Sequence, residues 1–468
     1  MGRKKIDILL QNITVEKVAA EGRALAHLED GTVVFVDFAV PGDIVDIRVL
    51  KKKKNYMEGR IERMISPSEK RLQPFCEHFG VCGGCRWQPL PYDMQLEAKR
   101  RQVYDQLVRI GHLDVPEILP VIGSERTTFY RNKLEFSFSE KRWILDGEDP
   151  EALSPALRCG LGFHVGKFFD KVLDIKKCWL QAEPSNSIRL FIKSYALENN
   201  LPFYNIRENS GFLRNIFIRT TEDGQVMVIV CFAYDSPAVA SLLKALKERF
   251  PGITSLYYII NGKLNDSVSD QECILFCGEE AIYETMEGLR FKIGPKSFFQ
   301  TNSPQAYRLY SVAREFAALT GDETVYDLYT GTGTIAQFVS SNCSRVIGIE
   351  YVPEAISDAR INAAMNGITN CDFFAGDMKD VLTDSFIRDH GAPDVMIVDP
   401  PRAGMHPDVV KVILNASPKR IVYVSCNPAS QARDLAMMAD RYRITAVQPV
   451  DMFPHTQHIE NVCKLELI

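Results

Sequence analysis

Cys426 stands in Ser425-Cys426-Asn427-Pro428, directly after the apolar run Arg420-Ile421-Val422-Tyr423-Val424. The same chain carries Asp399-Pro400-Pro401-Arg402 and Asp327-Leu328-Tyr329-Thr330-Gly331-Thr332-Gly333. Open α/β sheets bind ligands outside the carboxyl ends of their strands. A thiol delivered to such an edge, beside a glycine loop and an Asp-Pro-Pro turn, reads as a nucleophile facing a cofactor. The prolines lack amide donors and hold the chain extended or turned, which fixes the Asp399 carboxylate at that edge.

The glycine loop follows one strand and opens a helix, so backbone there can approach a ligand closely. Glu350, ending the next strand, stands where an acidic residue hydrogen-bonds ribose hydroxyls in dinucleotide folds. The loop is shorter than GxGxxG and has no Walker lysine, which disfavours NAD and ATP. S-adenosylmethionine, which has no phosphate, fits better. Asp377, in Ala375-Gly376-Asp377, falls at a later strand end, where methyltransferases of this type contact adenine. Asp-Pro-Pro-Tyr loops occur in amino methyltransferases, but Arg402 replaces the tyrosine here. With a strand-end cysteine, that favours carbon methylation.

Carbon methylation explains why a thiol is needed. C5 of uracil is a weak nucleophile; adding a thiolate at C6 creates an enolate whose C5 can attack a methyl sulfonium. A base must then remove the C5 proton. Cys426 is the candidate nucleophile. Asp451-Met452-Phe453-Pro454-His455-Thr456-Gln457-His458-Ile459-Glu460 offers a carboxylate, while its histidines lack the HExxH pattern of a metal helix.

A third constellation is Cys76, Cys82 and Cys85, followed much later by Cys178. Three close thiols make a metal signal, and four thiolates suit either zinc or an iron–sulfur cluster. Cys159, Cys231, Cys273, Cys277, Cys343, Cys371 and Cys463 read as core. Twelve cysteines in a chain whose start, Met1-Gly2-Arg3-Lys4-Lys5-Ile6, shows no export signal suit a reducing, cytoplasmic setting. The longest apolar stretch, Val226 to Tyr234, is too short for a membrane span.

Net charge is −5, but residues 51 to 101 carry twelve Lys/Arg and six Asp/Glu, a local +6 that leaves −11 elsewhere. A basic zone on an acidic protein suits a polyanion held at one face.

These residues need three kinds of frame. Residues 1–66 read as short strands: Val33 to Val36, a turn at Pro41-Gly42-Asp43, then Ile44 to Val49. Together they make a small β-barrel of the oligonucleotide-binding kind. Residues 67–294 mix the cysteines, a helix over 91–111 with Met94, Leu96, Val103, Leu107 and Ile110 on its apolar repeat, and strands at Leu134–Phe138, Phe217–Arg219 and Val226–Phe232. Residues 295–468 alternate apolar strands (Thr324–Leu328, Arg345–Glu350, Asp394–Asp399, Arg420–Val424) with helices (Thr334–Ser340, Pro353–Met365). That alternation predicts an α/β, doubly wound parallel sheet.

Taken together, the chain resembles the bacterial RNA uracil-5-methyltransferases, in particular the RumA-type ribosomal RNA enzymes. Phe298-Phe299-Gln300-Thr301-Asn302, the glycine loop, Asp399 to Arg402, Ser425 to Pro428 and Asp451 to Glu460 carry the resemblance. It implies an N-terminal TRAM barrel that binds RNA, a central domain with a [4Fe–4S] cluster, and a Rossmann-like methyltransferase domain against which the 91–111 helix packs. It makes Cys426 the nucleophile and Glu460 the base. Gln300, Tyr329, Gly331, Glu350, Asp377 and Asp399 would line the S-adenosylmethionine site. Phe298, with Gln300 and Asp399, would meet the target base, and Cys76, Cys82, Cys85 and Cys178 would hold the cluster. Thr330 departs from the cysteine of many relatives and Thr334 from the asparagine of some. The implied partner is RNA, 23S ribosomal RNA before transfer RNA, with no DNA and a monomeric enzyme. The competing readings are an amino methyltransferase and a non-catalytic RNA-binding assembly factor.

Overall fold

The computed structural model describes residues 7–166 and 168–468; the first six residues, read above for export character, lie outside them. The chain forms two compact units: Met1–Thr127 with Pro400–Val410 and Val422–Ile468, and Thr128–Asp399 with Lys411–Ile421.

In the first unit, six strands between Leu9 and Ser66 form one sheet, in the order Leu9–Thr14, Ile44–Lys52, Tyr56–Ser66, Val33–Asp37, Ala24–His27, Lys17–Val18. Its apolar face buries Val15, Val34, Val36, Val45, Ile47 and Val49. Gly59 is there because a Cβ would stand 2.3 Å from Ile47 Cγ2. Arg71 closes the sheet's end, bonding the Phe38 carbonyl and the fully buried Asp43 at 2.8 Å each.

The expected helix is present as Tyr92–Tyr104, continued by a π-helical segment Asp105–Ile110. Its buried face differs from the apolar repeat. Val103 and Leu107 are buried, but Met94 and Leu96 are only half-buried and Ile110 is exposed. Gln95 and Lys99 lie in the interior instead, tolerated because their polar ends are hydrogen-bonded within this unit.

Farther along the same unit, the strand Arg420–Ser425 enters from the second unit and neighbours Glu460–Leu467, which neighbours Tyr442–Val450. The last two are antiparallel, with Val450 opposite Glu460.

The second unit holds a seven-stranded sheet in the order Ile274–Gly278, Ser255–Ile260, Val226–Phe232, Leu213–Thr220, Lys133–Ser139, Gly160–His164, Val172–Asp174. Val226–Phe232 is buried throughout. Cys231 lies in that core; Cys277 and its neighbour Cys273 do not, because they belong to the sheet's edge and stay half-buried. Cys343 and Cys463 are also buried, while Cys159 and Cys371 are not fully so.

This unit also contains the parallel strands Cys371–Ala375, Arg345–Glu350, Thr324–Leu328 and Val395–Val398, adjacent in that order. Helices Thr334–Val339 and Pro353–Met365 connect successive strands. The architecture is α/β, with the parallel sheet the sequence predicts. No helix among the described residues is long and apolar enough to cross a membrane.

Candidate active site

Register decides which side chains share an edge in the second unit. Leu328 pairs with Ile349 and Val398, and Glu350 pairs with Ala375. The four parallel strands therefore end together, and Tyr329 to Gly333, Glu350, Asp377 and Asp399 emerge at one carboxyl edge.

The glycine loop is bent by three left-handed residues, Tyr329 (φ 65°), Gly331 (φ 57°) and Gly333 (φ 74°). Tyr329 is a bulky residue in a conformation that glycine adopts at little cost. It is held there by the adjacent strand: the Tyr329 and Thr330 N–H groups donate to the Ile349 carbonyl at 2.9 and 3.1 Å. Glu350 accepts from the Gly331 N–H (3.1 Å) and the Val352 N–H (3.0 Å), which aims its carboxylate at the loop. Gly333 and Gly348 have no room for a Cβ, which would fall within 2.9 and 2.6 Å of the Phe373 ring. Asp377 caps the short helix after its strand by accepting from the Lys379 N–H at 3.2 Å.

Asp327 lies fully buried beneath the loop. One carboxyl oxygen accepts from Thr330 Oγ1 and the Ala336 N–H; the other has no hydrogen-bond partner. Burial pushes this carboxyl up to about 7, the two hydrogen bonds opposing and Glu350 adding repulsion. Asp399 donates its N–H to the Leu328 carbonyl at 3.3 Å. Its side chain keeps some exposed surface, yet desolvation, with repulsion from Asp327 behind it, also pushes it up to about 7.

Gln300 and Phe298 belong to this unit, just before the helix Ser303–Ala317. Asn132 pins the segment, donating to the Gln300 and Thr301 carbonyls at 2.8 Å each. Phe298 itself is 69% exposed.

Cys426 and Glu460 belong to the first unit. Cys426 follows the end of its strand and precedes Asn427, which caps the helix Pro428–Ala436 by accepting from the Ala429 N–H at 3.2 Å. The Asn427 amide also donates to the Arg402 carbonyl at 2.9 Å, tying the Asp-Pro-Pro-Arg turn to the cysteine's turn. The Arg402 guanidinium lies 3.1 Å from His458 Nδ1, two residues before Glu460. Glu460 opens its strand and is 5% exposed.

Gln431, fully buried on the helix behind Cys426, joins the two strands. Its Nε2 donates to the carbonyls of Tyr423 (2.9 Å) and Asn461 (3.3 Å), and its Oε1 accepts from Asn461 Nδ2 at 2.8 Å. The strand leading to Cys426 is thus tied to the strand opened by Glu460, three residues before the cysteine and one after the carboxylate. Sequence reasoning missed Gln431; a glutamine among the apolar positions of a helix following the Cys-Asn-Pro turn was the available signal.

Cys76, Cys82 and Cys85 lie half-buried on an irregular loop of the first unit, and Cys178 lies buried in the second. Burial raises the Cys76 thiol above its ordinary range. The Asn186 side chain brackets Cys178, accepting from its N–H (2.8 Å) and donating to its carbonyl (3.1 Å). Among the described residues no three His, Cys, Asp or Glu side chains are grouped to hold a metal ion. Cys76, Cys82 and Cys85, expected from their spacing to share a metal, form no such group.

A parallel α/β sheet, its glycine loop clasped by an acidic strand end, is a frame that takes a ribose-bearing ligand at the strands' carboxyl edge. Residues 279–467 match the family described as tRNA (uracil-5-)-methyltransferase, and residues 10–61 match the TRAM domain. An uncharacterized RNA methyltransferase of Porphyromonas gingivalis is 59% identical over 96% of this chain and 98% of its own. Another, from Bacteroides thetaiotaomicron, is 56% identical over 96% and 100%. The crystal structure of Pyrococcus abyssi tRNA (uracil-54, C5)-methyltransferase with S-adenosyl-L-homocysteine is 28% identical, covers 97% of this chain and 99% of its own, and superposes with a TM-score of 0.73. The chain belongs to the RNA uracil-5-methyltransferase family, whose members methylate RNA from S-adenosylmethionine.

Proposed function

We propose that this enzyme methylates C5 of uridine at a specific place in ribosomal RNA, 23S above all, through a covalent Cys426 adduct. The observation that carries the reading is the Gln431 tie between the strand leading to Cys426 and the strand opened by Glu460. Gln300, Tyr329, Gly331, Glu350, Asp377 and Asp399 hold the cofactor, and bound S-adenosylmethionine supplies an electrophilic methyl. Phe298, Gln300 and Asp399 receive the target base, which must leave its stack to enter.

The Cys426 thiolate donates its electron pair to C6, and the C5=C6 π electrons move to the C4 carbonyl as an enolate. C5 then takes the methyl, and the departing sulfide keeps the electrons of the broken bond. Glu460 removes the C5 proton, the C–H electrons restore C5=C6, and the C6–S pair returns to Cys426.

Cys426→Ala is expected to abolish methylation, and RNA carrying 5-fluorouracil to trap the wild type in a covalent complex, because fluorine at C5 cannot leave as a proton. Methylation surviving Cys426→Ala refutes the covalent route. The transfer-RNA reading has two observations behind it: residues 279–467 match the family described as tRNA (uracil-5-)-methyltransferase, and the Pyrococcus tRNA enzyme matches nearly the whole chain. Mapping 5-methyluridine in ribosomal and transfer RNA from cells with and without this protein decides between them.

The three-domain division at 66/67 and 294/295, a monomeric cytoplasmic enzyme, and a [4Fe–4S] cluster on Cys76, Cys82, Cys85 and Cys178 complete the proposal. The cluster rests on cysteine spacing and resemblance; broad visible absorbance after anaerobic purification supports it, and a colourless zinc protein removes it.

A further inference from the structure

A buried ion pair leads to the segment that ends in Glu460. Lys99, on the helix Tyr92–Tyr104, and Asp451 are both wholly buried, with Nζ and Oδ1 2.5 Å apart. Lys99 also donates to the Phe453 carbonyl (3.1 Å), and Asp451 accepts from the Phe453 N–H (3.0 Å) and the Tyr92 hydroxyl (2.8 Å). One helical turn away, Gln95 accepts from the His455 N–H at 2.9 Å and places its Nε2 3.2 Å from His455 Nδ1. His455 sits at φ 64°, and its carbonyl accepts from the Arg86 and Trp87 N–H groups at 2.8 and 3.1 Å.

Burying two charges costs more than a surface pair does, and hydrophobic residues of similar volume often serve stability as well or better. A left-handed non-glycine residue is likewise uncommon and strained. Both features lie between Val450, which ends one strand, and Glu460, which opens the next directly opposite it. Their shared consequence is a fixed path for the nine residues 451–459 that deliver the carboxylate.

We propose that Lys99, through Asp451, is a positioning residue for Glu460, setting the geometry of C5 proton removal rather than of cofactor binding or thiol attack. The inference rests on the covalent reading above, and that reading supplies its signature. If the carboxylate is displaced, Cys426 still attacks C6 and C5 still receives its methyl, but the proton is not taken and the sulfur stays bonded.

The experiment uses the full-length enzyme, RNA with ordinary uracil and methyl-labelled S-adenosylmethionine. Lys99→Met is expected to accumulate a denaturation-resistant protein–RNA complex carrying the label. Turnover should fall on the order of 10²-fold, the loss expected of ångström-scale misplacement. KM for S-adenosylmethionine should hold within about twofold, since uniform binding is untouched. Tyr92→Phe removes one hydrogen bond to Asp451 without stranding a charge; it is expected to show the same accumulation at smaller amplitude and keeps the test open if Lys99→Met does not fold. A folded variant that turns over without accumulating labelled complex, or that loses labelling and turnover equally, overturns the positioning role. Absence of a Cys426-dependent complex between wild type and 5-fluorouracil RNA would instead overturn the covalent reading beneath it.

Discussion

Asp327 and Asp399 share a property that only three dimensions reveal: both carboxyls are pushed up to about 7 by desolvation. Asp399 follows the apolar run Val395–Val398 and is marked by two prolines after it, whereas Asp327 stands inside its strand, which ends at Leu328. That Asp327 is fully buried, with one oxygen unpartnered, is invisible in the chain, since desolvation depends on residues distant in sequence. The pKa of about 7 has a signed consequence. An unfolded aspartate titrates near ~3.9, so between about pH 4 and 7 the folded state binds the extra proton. Stability is then full at the acid end and is lost as pH rises through about 7. The thermal midpoint is expected to fall from pH 5 to pH 8, and Asp327→Asn, which cannot titrate, to flatten that slope. A wild-type midpoint that rises over this range would refute the neutral carboxyl. Lys99 was equally illegible: its partner Asp451 lies 352 positions away, and a lysine on a helix is ordinarily a solvated residue.

Secondary structure was most legible where burial is complete on both faces. Thr324–Leu328 and Arg345–Glu350 agree residue for residue with the apolar runs, because central parallel strands carry no polar alternation to blur their ends. Tyr442–Val450 and Glu460–Leu467 escaped notice because they alternate charged and apolar residues around Pro449 and the His-rich segment. Cys371–Ala375 was marked only by the Gly-Asp after it. Two element-scale outcomes follow. Gln431→Leu removes the amide that ties the two strands and leaves Asn461 Nδ2 only the weak Cys463 sulfur, at 3.3 Å, as acceptor, at a cost of about 2–4 kcal/mol by urea unfolding. Activity should fall more than stability alone explains; unchanged turnover at saturating substrates would mean the tie is only structural. Gly348→Ala forces a methyl to 2.6 Å from Phe373 and 3.1 Å from Thr330 Cγ2 at the glycine loop. Overpacking of this kind costs about 1–3 kcal/mol. Pairing it with Phe373→Leu should recover most of the loss, and no recovery would show that Phe373 is not the obstacle.

At the scale of the whole molecule, the basic zone at residues 51–101 is less free than its count implies. Lys99 is buried against Asp451, Arg71 against Asp43, and Arg63 and Lys51 pair with Asp46 and Glu58 at 2.9 and 2.7 Å. Composition registers charge but not its neutralisation, so it overstated the cations available to a polyanion. What projects is the turn joining Ile44–Lys52 to Tyr56–Ser66 in the TRAM sheet, where Lys52, Lys53 and Lys54 are all exposed. Neutralised phosphates release counterions, and the logarithm of affinity falls with the logarithm of salt by about 0.7 per single-strand contact. Replacing the three lysines by glutamine should therefore weaken RNA binding most at low salt and shrink the salt slope by up to about 2, by filter binding across potassium chloride concentrations. Methyl transfer at saturating RNA should persist, because the change is remote in sequence from Cys426 and Glu460 and removes no group from the reaction. A slope unaltered by the triple substitution would place this turn off the RNA and leave strand recognition to the remaining exposed cations of the first unit.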